Sequence, residues 1–193
     1  MTRADSDFSY LEGTSCYCSP EAAQEIRRAV AEMPLCAVHL LGTGDCHYVS
    51  LFWAERIEEP FTLVLWDNHP DDQPAAFSPD ILSCGSWVCD VRALPLCRGT
   101  VWIREAGPCP EIPEGPCYLS VDLDVLSEEF AHTDWDQGEM TLRELTSSIE
   151  AVVEGHRIIG VDICGGLTEQ KGASAADLAL NAAATEAVAE LFT

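Results

Sequence analysis

The run Phe61-Thr62-Leu63-Val64-Leu65-Trp66 is apolar at every position but one, and this lack of alternation is the strongest constraint the chain places on its fold. A strand with one wet face alternates apolar and polar residues, whereas a strand covered on both faces reads as a near-continuous apolar run. Further runs of strand length occur at 35–41, 100–104, 117–122 and 156–163. Segments of helical period separate them. One covers 20–33, with Ser19 as N-cap and Pro20 at the first helical position; others cover 46–57, 142–154 behind Thr141, and the Ala-rich 174–191. This alternation predicts an α/β fold of three layers, with a mostly parallel sheet covered by helices. Segments 73–79, 107–116 and 127–138 read as loops from their Pro, Gly and acidic content.

A chain of 193 residues, nearly half of them apolar, suffices for one domain with a sizeable core and is short for two. A single domain over 1–193 is therefore expected, and no repeat or linker interrupts it. Ten Lys and Arg against 33 Asp and Glu give a net charge of -23, which repels phosphate backbones and anionic lipid surfaces alike. Neither nucleic acid nor membrane is an expected partner. Most of these carboxylates read as a solvated surface. The start, Met1 to Asp7, has no apolar stretch behind a basic flank, and no apolar run is long enough to span a bilayer, so a cytoplasmic protein is expected. In that setting the ten cysteines are expected to be reduced thiols.

Solvation does not explain acids at the ends of buried strands. The run ending at Trp66 continues into Asp67-Asn68-His69-Pro70-Asp71, three metal-ligand types at alternate positions that share a face if the extended geometry persists. The run 117–122 ends in Asp122-Leu123-Asp124, and the run 35–41 enters a glycine-rich turn, Gly42-Thr43-Gly44-Asp45-Cys46-His47. Ligands of open α/β sheets bind at the carboxyl ends of the strands. Four carboxylates and two imidazoles gathered there repel one another unless protons or cations intervene, and two divalent cations neutralise the four charges. Each motif alone has an ordinary explanation, since an acidic chain produces Asp-x-His-x-Asp by chance and a histidine at a helix start is often structural. It is their combination at three strand ends that points to a metal site.

These elements resemble the ureohydrolase, or arginase-like, superfamily of dinuclear manganese hydrolases. Gly44-Asp45-Cys46-His47 is similar to its Gly-Asp-His element, Asp67-Asn68-His69-Pro70-Asp71 to its Asp-Ala-His-x-Asp element, and Ser120-Val121-Asp122-Leu123-Asp124 to its Ser-x-Asp-x-Asp element. The stretch Gly138 to Glu144 is similar to the Gly-Gly-Leu/Met-Thr-x-Arg-Glu that follows in that family. Short uncharacterised arginase-like proteins carry segments similar to 42–50, 83–88 and 135–138. The resemblance covers about residues 35–166. It implies an arginase/deacetylase-like fold in shortened form.

The resemblance also implies that His47, Asp67, Asp71 and Asp122 hold one metal, and that His69, Asp67, Asp122 and Asp124 hold the other, with Asp67 and Asp122 bridging. Two Mn²⁺ per chain are the implied cofactors, and Zn²⁺, Co²⁺, Ni²⁺ or Fe²⁺ are compatible with the same donors. The implied chemistry is hydrolysis of a non-peptide C–N bond in a small amidine-, guanidine- or amide-like substrate, through a hydroxide bridging the metals. A small molecule is thus the expected partner, and self-association into a homo-oligomer stays open. Two departures set the chain apart from true arginases. Gly165 stands where the family places a guanidinium-binding glutamate, and 72–88 lacks the family's proton-shuttling histidine, with Cys84 near its place. Asp124 and His132 are the expected catalytic residues, although His132, in the loop after Asp124, reads more readily as an exposed loop residue than as a catalytic one. Trp135 reads either as a pocket wall or as a cap on the core. The second reading of the whole chain is a catalytically degenerate arginase-like module that binds metal or regulates.

Overall fold

The computed structural model describes residues 1–75, 78 and 81–193. Among the described residues eight strands are formed: β1 (Thr2–Asp5), β2 (Tyr17–Cys18), β3 (Ala37–Gly42), β4 (Phe61–Trp66), β5 (Leu82–Ser83), β6 (Cys97–Ile103), β7 (Cys117–Asp122) and β8 (Ile158–Cys164). Six build one sheet in the order β1-β3-β8-β7-β4-β6, every neighbouring pair parallel, while β2 and β5 form a separate antiparallel pair. The helices are α1 (Pro20–Ala31), α2 (Val49–Ala54), α3 (Trp87–Ala93), α4 (Leu142–Gly155) and α5 (Ala175–Glu190).

The unbroken apolar run of β4 is satisfied as its pattern requires. Phe61, Leu63 and Leu65 pack into one core with Ile26 and Val30 of α1, Phe52 and Trp53 of α2, and Val91 of α3. Val64 and Trp66 point the other way, into a second core with Leu145 and Ile149 of α4 and Val188 of α5. The sheet is thus covered on both faces, the α/β arrangement expected, and each fully buried large side chain contributes about 1.5–3 kcal/mol.

The helix starts follow their caps. Ser19 Oγ accepts the Ala22 N–H at 3.1 Å ahead of Pro20, and Thr141 and Glu144 close a reciprocal capping box at the head of α4. A second box, Ser174 with Asp177, opens α5.

Several elements differ from the expectations. β1 is Thr-Arg-Ala-Asp, an exposed edge strand on β3 with no apolar pattern to betray it. The segment expected as a helix over 46–57 is divided: Gly44–Cys46 makes a tight 3-10 turn capped by Thr43, and α2 proper begins at Val49. α3, which buries Trp87, Val88 and Val91, has no counterpart among the expected helices, and the short strands β2 and β5 have none among the expected strands. The loop reading of 73–79 falls partly outside the described residues. Among the described residues no helix is long and apolar enough to cross a membrane.

Candidate metal centre

The carboxyl ends of β3, β4, β7 and β8 lie side by side, and each delivers side chains to one crevice. At β3, Gly42 takes φ +83° and releases the chain into the 3-10 turn that carries His47, which is 1 % exposed. A side chain at Gly44 would meet Asp122 Oδ2 at 3.1 Å, so a compact residue there leaves the crevice open.

The Asp67–Asp71 segment reaches the site by a route other than strand alternation. β4 ends at Trp66, and the chain then turns: Asp67 Oδ1 accepts the His69 N–H at 2.5 Å, and Asp71 sits in the left-handed region at φ +46°. Asp is among the few non-glycine residues that tolerate this conformation. The three side chains converge because of that turn, which the extended reading did not anticipate.

Two donor groups result. In the deep one, His47 Nδ1 lies 3.1 Å from Asp67 Oδ2, 3.2 Å from Asp71 Oδ2 and 3.4 Å from Asp122 Oδ2. At the mouth, His69 Nδ1 lies 2.8 Å from Asp124 Oδ2 and 3.6 Å from Asp67 Oδ1. Asp67 therefore turns one oxygen to each group, the disposition of a bridging carboxylate. Asp122 sits with the deep group, and its Oδ1 accepts the Asp124 N–H at 2.8 Å. The donor atoms of His47, Asp67 and Asp71, and those of Asp67, His69 and Asp124, lie within 4.8 Å of one another.

The surroundings fix these groups rather than neutralise them. His47 Nε2 is 2.8 Å from Ser120 Oγ, and Ser120 donates to Asp162 Oδ1 at 2.5 Å, so Ser120 must accept the Nε2 proton. That assignment leaves Nδ1 free to face the carboxylates, the tautomer a metal-binding histidine needs. Trp87 Nε1 donates to Asp71 Oδ2 at 2.7 Å, and the Asn68 N–H holds Asp124 Oδ1 at 2.9 Å.

Burial and mutual repulsion push the acids up. Asp122 rises to about 7, from burial and then from the charge of Asp124, and Asp124 rises to about 6, chiefly from burial. The hydrogen bonds to Asp124 and Asp67 raise His69 to about 10. Carboxylates raised by crowding and imidazoles raised by carboxylates mark a site short of positive charge. An oxygen-rich set with one imidazole in each group fits divalent cations of the Mn²⁺ type.

The crevice is a cavity of about 350 Å³, walled by Pro70, Gln73, Cys84, Gly85 and Trp135 beside the acids. Trp135 is thus a pocket wall. Its Nε1 donates to Asp45 Oδ1 at 3.2 Å, and Asp45 is held in turn by Lys171 at 2.6 Å. Sequence reading missed this support, because Lys171 lies in a short turn far along the chain with no motif around it.

His132 does not join the lining among the described residues. Its Nδ1 is 2.5 Å from Asp177 Oδ1 at the head of α5, and its backbone N–H and carbonyl pair with the Asn181 amide. The structure assigns it an anchoring position. Gly165 takes φ +103°, and a Cβ there would come within 1.9 Å of Asp122 Oδ1, so no glutamate fits that position beside the present Asp122.

No protein-family model matches the chain. An uncharacterised protein of Thermotoga maritima is 31% identical over 173 residues, covering 80% of this chain and 68% of that protein. A hypothetical agmatinase from Burkholderia thailandensis superposes with a TM-score of 0.64 at 20% identity, covering 91% of this chain and 67% of that one. A triple mutant of a T. brucei arginase-like protein bound with Mn²⁺ does so with a TM-score of 0.56 at 16% identity, covering 90% and 66%. The chain thus spans about two thirds of the length of the proteins it matches. The chain therefore belongs to one family with the Thermotoga maritima protein and shares its fold with the agmatinase and the arginase-like protein, and on that fold its three strand-end motifs gather into one acidic crevice.

Proposed function

We propose that the protein is a dinuclear metal-dependent hydrolase cleaving a C–N bond in a small amidine-, guanidine- or amide-like substrate. The observation that carries this reading is Asp67, whose two oxygens address two separate histidine-containing donor groups. The agmatinase and the Mn²⁺-bound arginase-like protein support it as relatives in fold. His47, Asp67, Asp71 and Asp122 would hold one cation, and His69, Asp67, Asp122 and Asp124 the other. Bound there, two divalent cations of the Mn²⁺ type supply an activated water and an electrophilic field for an sp² carbon.

The chain's own residues do the rest. Ser120 and Asp162 keep the proton of His47 on Nε2, and Trp135 and Pro70 shield the crevice and orient a flat substrate against the acids. Cys84 is the titratable lining residue outside the two donor groups among the described residues, and burial pushes its thiol up, so it faces the cavity protonated. Proton transfer to the leaving nitrogen is assigned here to the cavity rather than to His132, which is engaged with Asp177. The missing clamp at Gly165 argues against arginine as the substrate.

The test is a turnover screen of the Mn²⁺-reconstituted protein on alkylguanidines, amidines, formimino compounds and small amides, reading released urea or ammonia. Turnover of one class, lost in Asp124→Asn, is expected. Metal uptake with no turnover on any class would overturn the hydrolase reading and favour a binding module.

A further inference from the structure

The deep donor group contains a sulfur that the proposed ligand set leaves out. Cys164 ends β8 directly beside the end of β7, where its register partner is Asp122. Its thiol lies 3.2 Å from Asp122 Oδ2, the same oxygen that lies 3.4 Å from His47 Nδ1. His47, Asp122 and Cys164 offer one nitrogen, one oxygen and one sulfur within 4.8 Å of one another, all buried. The closeness is enforced by the next residue: Gly165, at φ +103°, leaves no room for a Cβ against Asp122, and this lets the end of β8 close onto β7.

A second observation comes from the residue two before it. Asp162 shares the face of β8 with Cys164 and is register partner to Ser120, as Cys164 is to Asp122. Asp162 is fully buried, and its Oδ2 has no hydrogen-bond partner among the described residues, although its Oδ1 is bound by Ser120. A buried, half-satisfied carboxylate next to His47 adds negative potential to the end of the crevice that holds the sulfur.

We propose that Cys164 is a ligand of the deep cation, which makes that position a mixed nitrogen, oxygen and sulfur site for a softer divalent metal such as Zn²⁺ or Co²⁺. The mouth group, His69 with Asp67 and Asp124, has no sulfur and stays a site for Mn²⁺. The centre is then heterodinuclear, an inference that rests on the two-cation reading above. On binding, the thiol proton leaves to solvent and the sulfur donates its electron pair to the metal, with no oxidation or reduction. Thiolate selects the softer ion, while carboxylate and water suit the harder one.

The experiment titrates Co²⁺ into the metal-stripped full chain and into Cys164→Ser. The wild type is expected to develop a near-ultraviolet thiolate-to-cobalt charge-transfer band that Cys164→Ser lacks. The preference for Zn²⁺ over Mn²⁺ in competition is expected to drop by about tenfold or more in Cys164→Ser, in the range typical of lost metal-site interactions. Co²⁺ bound without the band, or an equal band in both proteins, overturns the sulfur ligand and leaves the two-cation reading standing. No Co²⁺, Zn²⁺ or Mn²⁺ bound to the wild type overturns both.

Should Cys164→Ser fail to fold, X-ray absorption of the Zn²⁺-loaded Cys84→Ser protein decides. Here the thiol that lines the cavity is gone and Cys164 remains. A sulfur shell near about 2.3 Å supports the proposal, and a shell of nitrogen and oxygen alone overturns it.

Discussion

His39 and His47 lie eight positions apart, one within β3 and one just beyond it, and both are buried, at 0% and 1% exposure. Their environments are opposite. His39 stacks on Trp53 with ring centroids 3.7 Å apart, its Nε2 donates to the Pro34 carbonyl at 2.9 Å, and its Nδ1 accepts from the Tyr118 hydroxyl at 3.2 Å. Every polar atom of that ring is satisfied by a neutral partner, and burial lowers its pKa to about 4. His47 keeps one nitrogen satisfied by Ser120 and turns the other on three carboxylates, and against the cost of burial its neighbours Cys164, Asp67 and Asp71 raise its pKa. A buried histidine completed by the protein is structure, and one left facing anions is a place for a cation.

Four changes would break or sharpen this contrast. The largest effect is expected for Asp67→Asn, which removes the carboxylate shared by both groups. Uptake of both cations should fall by more than the roughly 10–100-fold that outer-shell changes cost, read by calorimetric titration. Retention of wild-type affinity would deny Asp67 its bridging position.

Gly165→Ala comes next. Its Cβ would stand 1.9 Å from Asp122 Oδ1 in a backbone conformation that alanine disfavours, so Asp122 must shift. A loss of about 1–3 kcal/mol in urea unfolding, together with weakened metal binding, is expected. An unchanged unfolding midpoint would show that the ends of β7 and β8 are looser than described.

Ser120→Ala takes away the acceptor that holds the proton on His47 Nε2. Metal affinity should drop by about 10–100-fold while the fold is kept. Binding equal to wild type would mean that His47 is oriented by packing alone.

The smallest effect on the metal centre, none, is expected for His39→Gln, and its signature is in pH instead. The pKa of His39 is lower folded than unfolded, so the unfolded chain binds the extra proton. The stability due to neutral His39 is present above the unfolded value of 6.5 and is lost as pH falls toward about 4. Through that window the unfolding free energy of the wild type should fall further than that of His39→Gln, by on the order of 3 kcal/mol. Parallel pH curves, or lost metal in His39→Gln, would contradict the separation of the two histidines.

Much of this was legible in the sequence because it is written in local pattern. The unbroken run of β4 required cover on both faces, and Ser19-Pro20 and Thr141 announced their helices. All six ligand candidates sit at strand ends where they meet in one crevice. What could not be read depends on contacts between distant segments. β1 exists because β3 offers an open edge, and the Lys171–Asp45–Trp135 support joins residues from three loops. The left-handed Asp71 replaces a simple strand continuation, and the anchoring of His132 to Asp177 depends on where α5 packs. Cys164 carries no motif around it, and only the alignment of β8 with β7 sets it beside Asp122.

The central claim is that the clustered carboxylates exist to hold two cations. The most direct measurement is metal content per chain after stripping with chelator and dialysis against divalent metal, read together with the melting temperature of the stripped and loaded forms. About two equivalents per chain and a raised melting temperature on loading are expected, since cations relieve the repulsion among the four aspartates. Protein that takes up no metal and melts at the same temperature with and without chelator would contradict the account.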